Sequence, residues 1–501
     1  MKRSTIGLWL ATLSLVTVPG LQGQQPAADK PAADKAAEKP ADVPPLPADA
    51  HVAQTMQLAG KPLNYTATVG TLPVYDADNK RTGEVVFTAY TMDGANRAVT
   101  FALNGGPGAA SVFLNLGAIG PKRVAFGDEG DSPSDPATLQ DNPGTWLDFT
   151  DLVFIDPIGT GFSRSLVSAD QTKKDFYTTE NDIKYLSRVI YDWLGKNKRL
   201  QSRKYLVGES YGGYRVPRLT HYLQSQLGVA MNGVVAVSPY LNPAIDENGD
   251  LSPLPWIVTL PSMAAANLER KHQLSAETMA PVMAYARGEY AVDLLKGRSD
   301  PQALPRLVDR VSELTSLDKS FVRRLGGRIE IGAFLREVHR GEGKIGSVYD
   351  SNVTSFDPFP FAPDQRGNDP LLESIIAPTT TAMVDFVTRI VGWSVSARYN
   401  ALSYDVASKW DRESQALHRG AVPDLREAVA ADPKLWVLIV HGWNDLSCPF
   451  MGSVLTVDQM PLMGDGARVA VREYPGGHMF YSRKDSGAAL RKDVQEMFSR
   501  H

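Results

Sequence analysis

One serine stands between glycines in a pattern typical of an enzyme nucleophile. The segment Gly208-Glu209-Ser210-Tyr211-Gly212 directly follows an apolar run and directly precedes a helical pattern. Small residues two positions before and after the serine permit a sharp strand-to-helix turn, which exposes the hydroxyl above the sheet edge in front of helix N–H groups. The pattern also occurs in ordinary turns, but this setting favours catalysis. We therefore predict that Ser210 is a nucleophile.

A serine hydroxyl is a poor nucleophile at neutral pH, so it needs a base and an acid that orients the base. On such a turn the chain order is Ser, then Asp or Glu, then His. His478 lies in the glycine-rich segment PGGHM, and Asp445 follows an apolar run in HGWNDLSC. His441 precedes this acid and breaks the order, so we interpret it as structural. A single loop aspartate is also often a turn residue or a helix cap.

Acyl transfer also requires two backbone N–H groups that stabilise the negative oxygen on the attacked carbonyl. The residue after the nucleophile, Tyr211, supplies one of them. The second is expected from a glycine-rich loop after an earlier strand, where Asn104-Gly105-Gly106-Pro107-Gly108 stands. The alternative interpretation of this loop is a tight turn without a role in catalysis.

Short apolar runs that alternate with helical patterns must position these residues. Five runs end in polar or glycine-rich loops and are predicted strands: 97–103, 151–155, 204–207, 233–237 and 435–440. Runs this apolar suit central parallel strands that are buried on both faces, with the reactive loops at their carboxyl ends. Helical patterns lie between them, for example at 180–194 and 215–227. The prediction is an α/β fold with a mostly parallel central sheet flanked by helices.

The chain divides into five segments. Residues 1–23 carry two positive charges and then an apolar run too short to cross a bilayer comfortably, which predicts a signal peptide rather than the alternative, an uncleaved anchor. Residues 24–50, with PAADK repeated, are predicted to be a disordered Pro/Ala-rich linker. The core follows in two segments, 51–241 and 401–501. Between them, 242–400 has mainly helical patterns and is predicted to be one inserted cap domain.

Composition limits the remaining classes of function. The chain has 501 residues, of which 43% are apolar and 22% charged, and this excludes wholesale disorder, collagen and coiled coil. A net charge of −4 provides no field that would concentrate nucleic acid. The lone cysteine, Cys448, permits no intrachain disulfide. Because neither a zinc-binding HExxH pair nor a phosphate-binding P-loop is present, we expect no metal and no cofactor.

Five blocks of this sequence, in their expected order, resemble those of the serine carboxypeptidase family: FALNGGPGAASVF, FIDPIGTGFS, YLVGESYGGYRVP, HGWNDLSC and PGGHMF. The resemblance implies an α/β-hydrolase fold with a helical cap insertion and removal of single residues from peptide C-termini. Carried over by motif, it implies a triad of Ser210, Asp445 and His478. The implied oxyanion donors are the amides of Gly106 and Tyr211.

The same resemblance suggests how substrate is held. Asn104 and Glu209 match positions that bind the terminal carboxylate of the substrate, while Cys448 and Met479 match residues that line the pocket for the departing amino acid. Asn115 stands where the family often has a further acid, so the carboxylate-binding network is expected to differ from the usual one.

We therefore expect an exported enzyme, periplasmic or secreted, whose partners are peptides with a free C-terminus. No nucleic-acid partner and no stable membrane association after signal cleavage are expected. An esterase or acyltransferase on the same triad shares every step up to the acyl-enzyme. A catalytically silent binding protein on the same fold is the alternative from another class. The sequence specifies neither the side-chain preference nor the oligomeric state.

Overall fold

A computed structural model describes residues 44–94, 96–125, 134, 136–246, 251–362 and 367–500. The predicted signal peptide and most of the predicted linker lie outside these residues. The end of the linker prediction is wrong, because Asp49 accepts a hydrogen bond from the Thr71 amide at 3.2 Å and forms an ion pair with Lys196 at 2.6 Å. Ordered packing therefore begins before residue 50.

A twisted sheet dominates the described residues. Its strands are β1 (Ala50–Leu58), β2 (Lys61–Tyr75), β3 (Arg81–Thr91), β4 (Ala98–Leu103), β7 (Thr150–Ile155), β8 (Arg164–Ser165), β9 (Lys204–Glu209), β10 (Gly233–Val237), β13 (Trp436–Gly442) and β14 (Val469–Tyr474). Two small antiparallel pairs are β5 (Lys122–Ala125) with β6 (Thr138–Asp141), and β11 (Lys344–Gly346) with β12 (Thr354–Phe356).

The main sheet has the order β1-β2-β3-β7-β4-β9-β10-β13-β14, with β8 beside β3. Strands from β7 to β14 along this order run parallel, whereas β1, β2 and β3 form an antiparallel extension. Sequence reasoning did not identify that extension. The parallel sheet was predicted correctly, and its carboxyl edge collects the loops that carry the candidate site.

Helices cover the sheet and make up much of the predicted insertion. They are α1 (Val112–Leu114), α2 (Ala169–Phe176), α3 (Thr179–Lys196), α4 (Tyr211–Leu227), α5 (Leu254–Arg270), α6 (Ala276–Tyr285), α7 (Ala291–Lys296), α8 (Ala303–Thr315), α9 (Lys319–Leu325), α10 (Ile331–Glu337), α11 (Pro370–Asp385), α12 (Tyr404–Lys409), α13 (Gln415–His418), α14 (Val422–Ala431), α15 (Phe450–Asp458) and α16 (Lys484–Ser499). Short π-helical turns extend α1, α6 and α11.

The alternation of side chains along β9 shows how the sheet is buried. Tyr205 and Val207 pack into the core on one face, while Leu206 packs into the core on the other, and all three are fully buried. This double burial explains the continuous apolar run that predicted the strand. None of the described helices is long and apolar enough to cross a membrane.

Most of the insertion has a core of its own. Helices α5 to α10 bury an apolar cluster that also takes in Trp443, Leu446 and Phe450 from the loop and helix after β13. Helix α11 packs instead against the core of the main sheet. The helical part of the insertion is therefore joined to the loop that carries Asp445.

Candidate active site

Ser210 occupies the turn between β9 and α4, with φ 62° and ψ −121°. A non-glycine residue pays a steric cost in this region, and such strain is concentrated at functional turns. The flanking glycines are required by space, since a Cβ on Gly208 would collide with the Gly212 carbonyl, and one on Gly212 with the Leu103 carbonyl.

Hydrogen bonds fix this turn above the end of β10. The Ser210 amide donates to the Val237 carbonyl at 2.9 Å, and the Ser210 carbonyl accepts from the amide of Tyr240 at 3.3 Å. These contacts hold the backbone and leave the hydroxyl out of the network. The side chain is therefore available to react.

Asp445 and His478 meet as a buried pair. Their Oδ2 and Nδ1 atoms are 2.7 Å apart, and both side chains are at most 3% exposed. The other carboxylate oxygen, Oδ1, accepts from the amides of Ser447 at 2.8 Å and Cys448 at 3.0 Å. Burial opposes protonation of His478, but the Asp445 carboxylate outweighs it and raises the pKa of the imidazole well above its ordinary value.

Ser210 and His478 lie at the same end of the sheet. Ser238, which directly follows β10, donates its hydroxyl to the His478 carbonyl at 2.8 Å. The described contacts include no hydrogen bond from the Ser210 hydroxyl to the imidazole. Hydrogen bonds of this kind are often formed only once substrate is bound.

The glycine loop after β4 touches the same turn. A Cβ on Gly105 would collide with the Tyr211 amide nitrogen, so this loop and the start of α4 are in contact. The first amides of a helix have no partner within the helix, so the Tyr211 N–H is a candidate oxyanion donor. Gly106 has a φ of 99°, which only glycine adopts readily.

A buried ion pair fixes the glycine loop from below. Arg215, on α4, lies 2.6 Å from Asp182 and donates to the Asn104 carbonyl at 2.7 Å. Asn104 Oδ1 also accepts from the Leu114 amide at 2.9 Å. The Arg215–Asp182 pair was not identified from the sequence, because no motif relates two residues 33 positions apart on different helices.

Glu209 is buried directly beside the nucleophile. Its Oε2 accepts from Asn104 Nδ2 at 2.7 Å and from the Tyr481 hydroxyl at 2.8 Å. Burial raises the pKa of Glu209, and both the His478 charge and these two hydrogen bonds oppose the rise. The Asn104 amide thus donates to Glu209 in this state. Tyr481, three residues after His478, carried no signal in the sequence motifs.

The other sequence candidates occupy different surroundings. The Cys448 sulfur, a nitrogen of His478 and an oxygen of Asp445 lie within 4.8 Å of one another. Both Asp445 oxygens are already hydrogen-bonded, so we interpret Asp445 and His478 as an acid–base pair rather than as metal ligands. Met479 is half-buried against the core, and Asn115 is buried with its Nδ2 4.0 Å from the sulfur of Met383.

A pocket opens beside Cys448. It is lined by Pro239, Tyr240, Leu241, Asn242, Ile245, Val258, Ser447, Cys448, Pro449, Gly452, Ser453 and Thr456. These residues carry no formal charge at neutral pH. The pocket therefore suits an uncharged side chain.

A parallel sheet with a strained serine turn, and a buried acid–histidine pair at the same edge, is the arrangement of the α/β-hydrolase fold. The model of the serine carboxypeptidase family matches residues 75–286. This match contains Ser210, Glu209 and the glycine loop. Asp445 and His478 lie beyond it, so their candidacy rests on geometry and on the motifs.

Similar proteins agree with this family. Serine carboxypeptidase-like 36 of Arabidopsis thaliana is 29% identical over 212 residues, 41% of each chain. Pheromone-processing carboxypeptidase kex1 of Schizosaccharomyces pombe is 29% identical over 142 residues, 28% of this chain and 25% of that protein. The chain thus spans less than half the length of these relatives.

A solved structure supports the fold. The crystal structure of a prohormone-processing carboxypeptidase from Saccharomyces cerevisiae superposes with a TM-score of 0.53 at 16% identity, and the match covers 87% of this chain and 91% of that one. At this identity the likeness establishes the architecture. The predicted α/β-hydrolase fold is therefore confirmed.

Proposed function

We propose that this protein is an exported serine carboxypeptidase that removes the last residue of peptides. The observation that carries the proposal is Glu209, a buried carboxyl directly before the nucleophile that already has two hydrogen-bond donors around it. A protonated carboxyl in this place can donate to the terminal carboxylate of a substrate. An esterase has no need of such a group.

In the proposed reaction Ser210 attacks the last peptide carbonyl while His478 takes the hydroxyl proton. The amides of Gly106 and Tyr211 stabilise the oxyanion. His478 then donates its proton to the leaving amine, and the terminal amino acid departs. Water attacks the acyl-serine and gives a proton to His478, which passes it to the Ser210 oxygen as the shortened peptide is released. Asp445 keeps Nδ1 protonated and oriented throughout.

Glu209 and His478 share one proton in the productive state. Turnover needs Glu209 protonated and His478 neutral, and this form carries the same number of protons as ionised Glu209 with protonated His478. Removing the shared proton at high pH leaves Glu209 charged, which repels the substrate carboxylate. Adding a second proton at low pH disables the base. The dependence of kcat/KM on pH is therefore bell-shaped, and both of its limbs reflect the coupled titration of Glu209 and His478.

Glu209→Gln tests this role. Glutamine stays neutral, so the fall in kcat/KM on a peptide acid at high pH should disappear in this variant. The kcat/KM on a small ester without a carboxylate should fall little at high pH in either enzyme. Because burial raises the pKa of Glu209, the wild-type decline should begin above the usual range for glutamate. The measurement is kcat/KM against pH for a peptide acid, its C-terminal amide and an ester.

The control is Glu473→Gln, because burial also raises the pKa of this carboxyl, which lies on β14. It should keep the wild-type profile. An unchanged alkaline decline in Glu209→Gln would contradict carboxylate recognition by Glu209 and favour the esterase or acyltransferase alternative. Product analysis on peptides with free and amidated C-termini then separates the two functions.

Export is the second part of the proposal. Its support is the charge-then-apolar order of residues 1–23. The mature chain should begin between about Gly20 and Gln25, as measured by intact mass on natively produced protein. It should also be found outside the cytoplasm. A mature chain that retains Met1 would overturn this part.

A further inference from the structure

One segment of the helical insertion lies between the two loops that carry the candidate acid and base. We call residues 347–352 the wedge segment. On one side the Leu446 amide donates to the Val348 carbonyl at 3.0 Å, next to Asp445. On the other side the His478 amide donates to the Tyr349 carbonyl at 2.5 Å. The wedge segment therefore bonds to both loops at the residues adjacent to or within the candidate triad.

The glycine directly before His478 is explained by this contact. A Cβ on Gly477 would collide with the Tyr349 carbonyl and the Asp350 side chain. The PGGH motif thus makes room for the wedge segment, in addition to giving the loop its turn. An insertion that only covered the site from above would not need this space.

An ion cluster holds the wedge segment in place. Arg483, which follows the His478 loop, lies 2.6 Å from Asp350 and also pairs with Glu269 at the end of α5. Glu269 accepts in turn from the side-chain amides of Asn352 and of Asn444, the residue before Asp445. The cluster joins α5, the wedge segment and both catalytic loops, so the insertion is tied to the core at the site.

The ring of Tyr349 packs against the imidazole itself. The two ring centroids are 5.2 Å apart with an interplanar angle of 70°, an edge-to-face contact. Such a contact limits rotation of the imidazole about the Cβ–Cγ bond of His478. The Asp445 hydrogen bond fixes Nδ1, and the Tyr349 ring fixes the plane, so together they define where Nε2 points.

We propose that Tyr349 is a positioning residue for His478 and that the insertion supplies it as part of the catalytic apparatus. This inference rests on the proposed function for the role of His478. It assigns to Tyr349 an effect on the chemical step, through the base, that is independent of which substrate is bound.

Tyr349→Ala and Tyr349→Phe test the inference. Loss of the ring should lower kcat about 10- to 100-fold on a peptide acid and on a small ester alike, since a misplaced base slows both. It should also shift the acidic limb of the pH profile. Phenylalanine keeps the ring and should restore kcat to within about threefold of wild type. Tyr349→Leu fills the space without an aromatic edge and replaces the alanine variant if that variant does not fold.

The pH readout must be interpreted against every group that faces the imidazole. These groups are Asp445 and Cys448 from the acid loop, Glu209 from β9 and His441 from β13. None of them is altered by the substitution. A matched control is Phe356→Ala, an aromatic on β12 of the same insertion that is 78% exposed, and it should leave all parameters unchanged.

A second readout separates this inference from the proposed function. The rate at which a serine-directed phosphonate labels Ser210 depends on His478 but not on peptidase activity, and Tyr349→Ala should slow it by the same factor as kcat. If only KM for peptides changes, or if the labelling rate and the acidic limb stay at wild-type values, Tyr349 does not position the base. If wild type labels but cleaves no peptide, the carboxypeptidase proposal fails while the Tyr349 test still stands.

Discussion

Replacing Ser210 by alanine is expected to lower kcat/KM on peptide acids by roughly 10³- to 10⁶-fold while the protein stays folded. The hydroxyl makes no hydrogen bond in the described network, so its removal leaves no buried polar group without a partner. The catalysis that remains in the variant comes from substrate binding and from the oxyanion donors. The measurement is kcat/KM with thermal unfolding as the check on folding.

Ser210→Gly sharpens this test, because the serine backbone has a φ of 62°. Glycine adopts that angle without steric cost, whereas serine pays on the order of 1–3 kcal/mol for it. The glycine variant should therefore be inactive and at the same time no less stable than wild type. A variant that lost both activity and folding would not distinguish a catalytic role from a structural one. A folded and inactive Ser210→Gly variant does distinguish them.

The labelling control is Ser408→Ala, an exposed serine on α12. A serine-directed phosphonate should modify wild type and Ser408→Ala with one equivalent and leave Ser210→Ala unmodified. Full turnover by Ser210→Ala would contradict the assignment of the nucleophile. A wild-type protein that is neither labelled nor active would favour the silent binding protein.

The sequence predicted those parts of the molecule that local rules determine. The glycines around Ser210 mark a turn because only small residues fit there, and the apolar run of β9 marks a strand because both faces are buried. The long antiparallel strands β1 to β3 were not identified. Buried and more exposed residues alternate along β1 and much of β2, so neither forms a continuous apolar run, and β3 buries the polar residues Thr82, Glu84 and Thr88 among its apolar ones. Prediction therefore succeeded where the constraint is local.

The surroundings of the site could not be predicted, because they depend on contacts between distant segments. Tyr481 and Glu209 are 272 positions apart and meet only through the packing of the loop after β14 against β9. The wedge segment lies in the insertion, which no catalytic motif marks. Asn104 was matched by motif to a position that binds the terminal carboxylate of the substrate, and the hydrogen bond from its amide to Glu209 was not predicted.

Asp445→Asn should have the second-largest effect, a loss of roughly 10⁴-fold in kcat/KM. The reason lies in how the carboxylate is held. Its Oδ1 accepts from two amides, those of Ser447 and Cys448, and an asparagine must keep its oxygen there. Its NH₂ group then faces His478 Nδ1. Two donors cannot share this contact, so the imidazole is forced into the tautomer with its proton on Nε2, which cannot accept a proton from Ser210.

The same substitution removes the charge that raises the pKa of His478. Without it, burial dominates and the pKa of the imidazole falls, so the acidic limb of the pH profile should move to lower pH even as the maximum rate drops. A control is Asp170→Asn, an exposed carboxylate on α2, which should change neither. A folded Asp445→Asn variant with the wild-type kcat/KM and the wild-type acidic limb of the pH profile would show that the short Asp445–His478 contact is structural. The acid of the triad would then be a different residue.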